Sequence, residues 1–426
     1  MHNHNRSVTL LFLANGISGF AQGVSMLAIP WHFASRGAST YFNTGYGLLT
    51  VVVLLFGLYA GMLVDRYSRK LNFLVTSLVC GIVILGISVC GYMWGYLPDL
   101  LVIAVFGITM LNYNIHYPTL YAFGQEITEP HYYQKLNSTI EIVGQSTSVL
   151  SGGFAALLLE GISDEAIRIP GTEHILQFTI APWHIWDIFM MDAITYFMAA
   201  ALIAGIRHSS APVGQVLTET VLQRIKTGFS YLKANRPILI FGVFSYFVFA
   251  MLLVEIHAVL PGYVERHLKH GGGVFALADG IYAVGALCAG VYVSKLFHSV
   301  HAVRAVISLT LLTALIFMWA FATRSVAVIC TVSFILGFTN AGIRVLRLTY
   351  LFNHVPNEVM GRVGSIFNMV NVLLRTCFIF LFSVSFFTVA DSIRWAYLIM
   401  AAVLIGAAGV LLLNFPSLNS GKADHS

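Results

Sequence analysis

Apolar residues in this sequence come in long runs. Twelve stretches recur from end to end, near residues 7–34, 43–64, 71–94, 98–124, 136–160, 184–206, 237–262, 274–297, 303–323, 325–350, 362–387 and 389–414. Each is long enough to cross a ~30 Å hydrocarbon layer as a helix. Short polar clusters separate them, and none has the length and polarity of a soluble domain. The pattern predicts an all-α membrane protein of twelve transmembrane spans. The first run follows only six polar residues and is too long for a cleaved leader, so no signal peptide is expected.

Composition agrees. Apolar residues make up 58% and charged residues 10%, against ~25% charged in a soluble protein. Lipid must therefore be the main solvent. The five cysteines (Cys80, Cys90, Cys288, Cys330 and Cys377) all fall inside apolar runs and read as small hydrophobes. His2 and His4 read as a solvated terminus, and no metal-site spacing is present.

Basic residues set the expected orientation. With both termini cytoplasmic, inner segments carry fourteen of the 23 Lys and Arg, from Arg6, Arg66, Arg69 and Lys70 through Arg224, Lys226 and Lys233 to Arg362 and Lys422. Outer segments carry six: Arg36, Arg168, Arg266, Lys269, Arg324 and Arg394. That bias is the positive-inside pattern. It accounts for the net charge of +5, which therefore implies no nucleic-acid partner.

The chain repeats itself with an offset near 229 to 231. Ala28-Ile29-Pro30-Trp31 corresponds to Val259-Leu260-Pro261-Gly262, and Leu120-Tyr121-Ala122-Phe123 to Thr349-Tyr350-Leu351-Phe352. Two six-helix halves follow, 1–206 and 237–426, joined by a link over 207–236. Parallel halves with a site near the midplane are one plan of membrane transporters. Within the link, Val221, Leu222, Ile225, Phe229 and Leu232 share a helical face, with Arg224, Lys226 and Lys233 elsewhere. This predicts a basic amphipathic helix at the inner surface. The link between the fifth and sixth runs, 161–183, is either a lid or a variable surface loop.

The densest charge lies at Gly61-Met62-Leu63-Val64-Asp65-Arg66-Tyr67-Ser68-Arg69-Lys70, between the second and third spans. The pattern G-x-L-x-D-R-x-x-R-K resembles the signature loop of the major facilitator superfamily, with Ser68 where that pattern has a second Gly. The corresponding loop of the second half has lost it: Ser294 and Lys295 stand where Asp65 and Arg66 stand. Gly228-Phe229-Ser230-Tyr231-Leu232-Lys233-Ala234-Asn235-Arg236-Pro237, Asp192-Ala193-Ile194-Thr195-Tyr196 and Gly361-Arg362-Val363 look like the subgroup of the enterobactin exporter and macrolide efflux proteins. The fifth span keeps Gly144, Gly152 and Gly153 of a pattern found in antiporters of that superfamily, but Ser148-Val149 replaces its Gly-Pro. Small residues there still allow close helix packing.

The resemblance implies a conformational latch made of Gly61, Asp65, Arg66, Arg69, Gly361 and Arg362. In it the Asp65 carboxylate faces the positive N-terminus of the eleventh span, a contact that contributes ~0.3–2 kcal/mol. The alternative is a plain solvated turn.

Ionisable groups inside spans are rare, costly and usually functional. Glu141, His116 and Glu255 are the proton-coupling candidates. Glu141 is either a proton carrier or a carboxylate paired to Arg347 or Arg375 as static glue. Glu255 reads as nearer the outer end of its span, and Asp192 and Asp279 as structural residues at span ends. The substrate-cavity candidates in the first half are Asn112, Asn114, His116, Tyr117 and Gln145. In the second half they are Asn340, Arg344, Arg347, Asn368, Asn371 and Arg375. Three arginines cannot face lipid cheaply, and their forked guanidinium suits an anion.

The expected protein is a secondary transporter of the bacterial inner membrane, a monomer that exports a siderophore-like or drug-like solute by alternating access. Its energy source would be the proton gradient, with no cofactor. A lysophospholipid transporter or a solute importer on the same fold is the first alternative, and a non-transporting sensor the second. An enzyme is disfavoured, because P-loop, G-x-S-x-G and metal motifs are all missing from the sequence.

Overall fold

A computed structural model describes residues 2–129, 132–168, 175–206, 221–297, 300–388 and 390–419. Twelve of its helices are long and apolar enough to span a membrane. Spans 1 to 6 are His2–Ser35, Ser39–Arg66, Arg69–Trp94, Asp99–Glu126, Tyr133–Glu160 and Ile185–Ala204. Span 7 runs over Arg236–Leu268. Spans 8 to 12 are Gly272–Leu296, Ala302–Ala322, Val326–His354, Asn357–Ser383 and Trp395–Leu413. The link between spans 5 and 6 holds the only strands among the described residues. They are β1 (Ile162–Arg168) and β2 (Ile175–Ile180), an antiparallel pair with a bulge between Ile162 and Glu165. These strands lie within the link read as either a lid or a variable surface loop.

The helices carry apolar side chains on their outward faces as well as in the core, as lipid demands. Span 3 turns Val75, Val79 and Ile82 outward, each about half exposed. Its buried face carries Ser77, Cys80 and Ser88 with Ile84. Small residues on that face admit span 6: Ser88 Oγ donates to the Trp186 carbonyl at 2.7 Å, and Gly91 lies against the Trp186 side chain. Close approach through small residues is the main packing device available where lipid is the solvent.

By contact the chain forms two compact units. Unit 1 comprises Met1–Gly37, Ala60–Val216 and Lys269–Gly280; unit 2 comprises Ala38–Tyr59, Leu217–Leu268 and Ile281–Ser426. The division cuts through spans 2 and 8. In unit 2 the first half of span 2 is held by Asn43, whose Nδ2 donates to the carbonyls of Ala258 (3.2 Å) and Phe382 (3.5 Å). In unit 1 the start of span 8 crosses span 5 so closely that a Cβ on Gly152 would sit 2.8 Å from Gly280 N and 2.9 Å from Ala276 O.

Span 7 departs most from expectation. It continues six residues past the predicted end at 262 and contains two π-helical turns, Glu255–Val259 and Tyr263–Leu268, on either side of Leu260–Gly262. Pro261 has no N–H to give the carbonyl four residues back, and the ladder loosens around it. The second π turn is tied down. Tyr263 OH donates to Ala320 O at 2.7 Å, and His267 bonds Thr323 O at 2.8 Å through Nε2 and Asp391 through Nδ1. Lys269, in the left-handed region at φ 59°, then turns the chain into span 8.

The linker helix is Val221–Ala234. It packs on span 11 through Gly228, against Ile366 and the Arg362 carbonyl, and Leu232 is fully buried. Phe229, expected to share that face, is 57% exposed, because Gly228 takes the contact position instead. The side chains of Val221, Leu222 and Arg224 lie outside those described.

Candidate functional site

The Gly61–Lys70 loop begins with residues 61–66, whose side chains lie outside those described, so the Asp65 contact of the expected latch does too. The rest of the loop is clear. Ser68, at φ −61° and ψ 139°, caps span 3 by accepting from Leu71 N at 3.3 Å. A serine here supplies the cap oxygen that a glycine would lack. Lys70 Nζ donates to the carbonyls of Ala204 (2.9 Å) and Ile206 (2.8 Å), closing the C-terminal end of span 6. At the start of span 11, Gly361 is exposed and Arg362 half-buried, and a Cβ at Gly361 or Gly364 would meet nothing within 4 Å.

Unit 1 gathers polar groups at two levels. His116 Nε2 lies 2.9 Å from Asn15 Oδ1, and its ring packs edge-on against Phe73 at 5.0 Å. One ring nitrogen is thus engaged and the ring is packed. The second level is Asp192 with Ser25, Cys80, Asn112 and Tyr196. Asn112 Nδ2 donates to Tyr196 OH at 3.4 Å, while Asn112 Oδ1 and both Asp192 oxygens have no hydrogen-bond partner among the described residues. Asp192, expected at a span end, is seven residues into span 6 and fully buried. Span 6 starts at Ile185, one residue from the expected edge, so the burial of Asp192 comes from its neighbours on spans 1, 3 and 4. Tyr196 was not singled out from sequence, although its i, i+4 spacing from Asp192 places both on one face. Among the other unit 1 candidates, Asn114 turns back to the Met110 carbonyl, Tyr117 is 47% exposed and Gln145 is half-buried. The Glu141 side chain lies outside those described.

Unit 2 buries cations. Arg347 is 5% exposed; its guanidinium carbon lies 3.5 Å from the Tyr246 ring centre, and Nη1 donates to Ser245 O at 3.1 Å. Arg375 is 8% exposed, 6.0 Å from the Tyr46 ring centre, with Nε unpartnered and no acid paired to it among the described residues. Tyr46 also meets His257 edge-on at 5.7 Å. Asn371, one turn from Arg375, is buried with Oδ1 unpartnered, whereas Asn368 and Arg344 are exposed. The run Asn368, Asn371 and Arg375 therefore divides between a buried and an open environment. Asn340 Nδ2 donates to Tyr282 OH at 3.0 Å, beside the crossing where Gly337 lies on the Tyr282 carbonyl. Glu255, expected nearer an outer end, is 2% exposed and accepts from Tyr397 OH at 2.8 Å. The continuation of span 7 to Leu268 is what places it deeper.

One feature was not foreseen. At the end of span 5, the Glu160 carboxylate lies against Gly271 and Gly273 at the start of span 8, where any Cβ would collide with its oxygens. Trp31 of span 1 covers Gly272 and stacks on Phe275 at 6.2 Å. The run Gly271-Gly272-Gly273 directly before an apolar helix was the available signal. The positive end of a helix favours a carboxylate there.

The profile of the Major Facilitator Superfamily matches residues 11–376 of the chain. No curated protein sequence matches. Among solved structures, a bacterial homologue of the human lysosomal transporter Spinster, inward-facing and unoccupied, superposes with a TM-score of 0.74 at 12% identity, covering 100% of this chain and 99% of that one. A point variant of the nucleoside transporter NupG gives 0.71 at 12% identity, with coverage of 95% and 100%. A bacterial homologue of the iron transporter ferroportin, also inward-facing, gives 0.70 at 15%, with coverage of 96% and 98%. At these identities the likeness shows the fold.

Proposed function

The chain belongs to the major facilitator superfamily and is an integral membrane transporter, and from that premise we propose that it exports an organic anion in exchange for protons. The observation that carries the anion is Arg375, a buried guanidinium with no acid paired to it among the described residues. A cation kept in this way has an unmet demand for negative charge. Its planar fork suits a carboxylate, phosphate or catecholate, so the cargo class is a siderophore-like or drug-like acid. Arg375 with Asn371 and Tyr46 would grip it, and Arg347, already occupied by Tyr246 and Ser245, would hold the shape of the site.

The moving bodies are the six-helix halves, 1–206 and 237–426, in a bacterial inner membrane with both termini cytoplasmic. The positive-inside count supports that orientation. Export is supported by the motifs at Asp192–Tyr196 and Gly228–Pro237 that resemble those of exporters. The Asp65 latch, closing on the start of span 11, would bias the balance between the two facing states.

The deciding experiment is flux in proteoliposomes with an imposed pH gradient, across a panel of siderophores and amphipathic drugs. Gradient-driven movement of an anionic member is expected. Flux that ignores the pH gradient for every member would sink the coupling.

A second reading, lipid movement, is favoured by one feature. Phe20, Val149, Leu150, Gly153 and Phe154 line an apolar groove of about 410 Å³ between spans 1 and 5. Transfer of a fluorescent lysophospholipid in the same proteoliposomes tests it.

A further inference from the structure

Asp192 is completely enclosed, and neither of its carboxylate oxygens has a hydrogen-bond partner among the described residues. Each helix packed around it contributes only neutral groups. Span 1 offers Ser25, whose hydroxyl is turned towards the carboxylate without completing a bond. Span 3 offers Cys80, and span 4 offers Tyr113. On span 6 itself, one turn on, stands Tyr196, which Asn112 bridges to span 4. No lysine, arginine or histidine of the described residues pairs with Asp192.

A carboxylate ion in such a place is strongly disfavoured, because nothing replaces its lost water. The neutral acid is not: it asks only for an acceptor, and the Ser25 and Tyr196 hydroxyls can each act as one. A buried polar group left unsatisfied calls for an explanation. Here it cannot be a salt-bridge strut, since there is no bridge. Of the rival carriers whose side chains are described, His116 is engaged by Asn15 and Glu255 by Tyr397.

We propose that Asp192 is a proton-binding site of unit 1, loaded as the carboxylic acid while enclosed and emptied to water when spans 1, 3, 4 and 6 part to hydrate it. Only the O–H bond of the acid forms and breaks; the proton enters from water and leaves to water. The proposal rests on the proton-coupled reading above and names the residue that would carry the coupling.

The test uses the full-length protein in lipid nanodiscs. Infrared spectra are taken through a pH titration for the wild type and for Asp192→Asn, with melting temperatures as the folding control. The expected result is a protonated-carboxyl band present in the wild type, absent from Asp192→Asn, and lost as pH rises. A band that never titrates, or that is never present, overturns the proposal. If Asp192→Asn does not fold, Asp192→Ser serves for the same subtraction. A pH-gradient flux assay on both proteins separates this site from the coupling reading. Uncoupled wild-type flux together with a titrating Asp192 band ends the coupling and leaves the site standing. Coupled flux that survives in Asp192→Asn ends the site's role as carrier and leaves the coupling.

Discussion

Asp192 in unit 1 and Arg347 in unit 2 are both ionisable side chains buried inside spans, and their surroundings differ. Arg347 has a tyrosine ring 3.5 Å from its guanidinium and a carbonyl at 3.1 Å. Among the described residues, Asp192 has no hydrogen bond to either oxygen. Each arginine leaves its Nε unserved, and Arg375 falls between the two cases because its aromatic ring lies farther off, at 6.0 Å. Burying a charge is expensive everywhere in a membrane. Where the chain meets that cost from its own groups, the residue holds the fold together. Where it does not, the missing partner comes from outside, as a proton or as cargo.

The largest expected effect tests the well-served member. Arg347→Ala removes a desolvated cation–π contact and a hydrogen bond, and should lower stability by about 2–3 kcal/mol in a thermal melt. Anion affinity in the folded fraction should fall by less than it does in Arg375→Ala. Normal stability with lost affinity would put Arg347 among the cargo ligands.

Arg375→Ala should show the reverse. Anion affinity at fixed pH should fall roughly tenfold, the loss of about 1.4 kcal/mol from one charge-assisted contact. Arg375→Lys should not restore it, because an ammonium lacks the fork. Full rescue by lysine would show that bare charge suffices.

Ser68→Ala sets the scale for an ordinary helix cap, at about 1 kcal/mol of stability with transport retained. Smallest of all, Asp192→Asn should move the melting temperature little, since the amide is neutral like the enclosed acid and can donate to the same hydroxyls. A drop as large as that of Arg347→Ala would reveal a partner for Asp192 and end the contrast.

The twelve spans were legible because hydropathy over ~20 residues is a strong signal. Lys70 read as a plain inside charge, and its capping of span 6 depended on a fold that brings residues 204 and 206 beside it. Asp192 was misjudged although the edge of its span was read to within one residue, because its burial comes from the spans packed around it, which local pattern does not show. Glu255 was misplaced for another cause: span 7 was expected to end at 262, whereas π turns carry it on to Leu268. Local pattern gives the existence of a helix far better than its winding. Nor could it show that Arg347 finds Tyr246, a residue 101 positions away, while Arg344, one turn earlier, stays exposed.

The winding of span 7 has a mechanical consequence. A π turn is one surplus residue wound into an α-helix, much as a dislocation is one surplus half-plane in a crystal. A crystal shears by letting its dislocations glide, breaking one row of bonds at a time. Span 7 carries two such faults, at Glu255–Val259 and Tyr263–Leu268, around a proline that already lacks one rung. Gliding either fault by one turn would rotate every side chain it passes while exchanging a single hydrogen bond at each step. The segment bearing Glu255 and His257 can thus twist as a screw does, without ever melting.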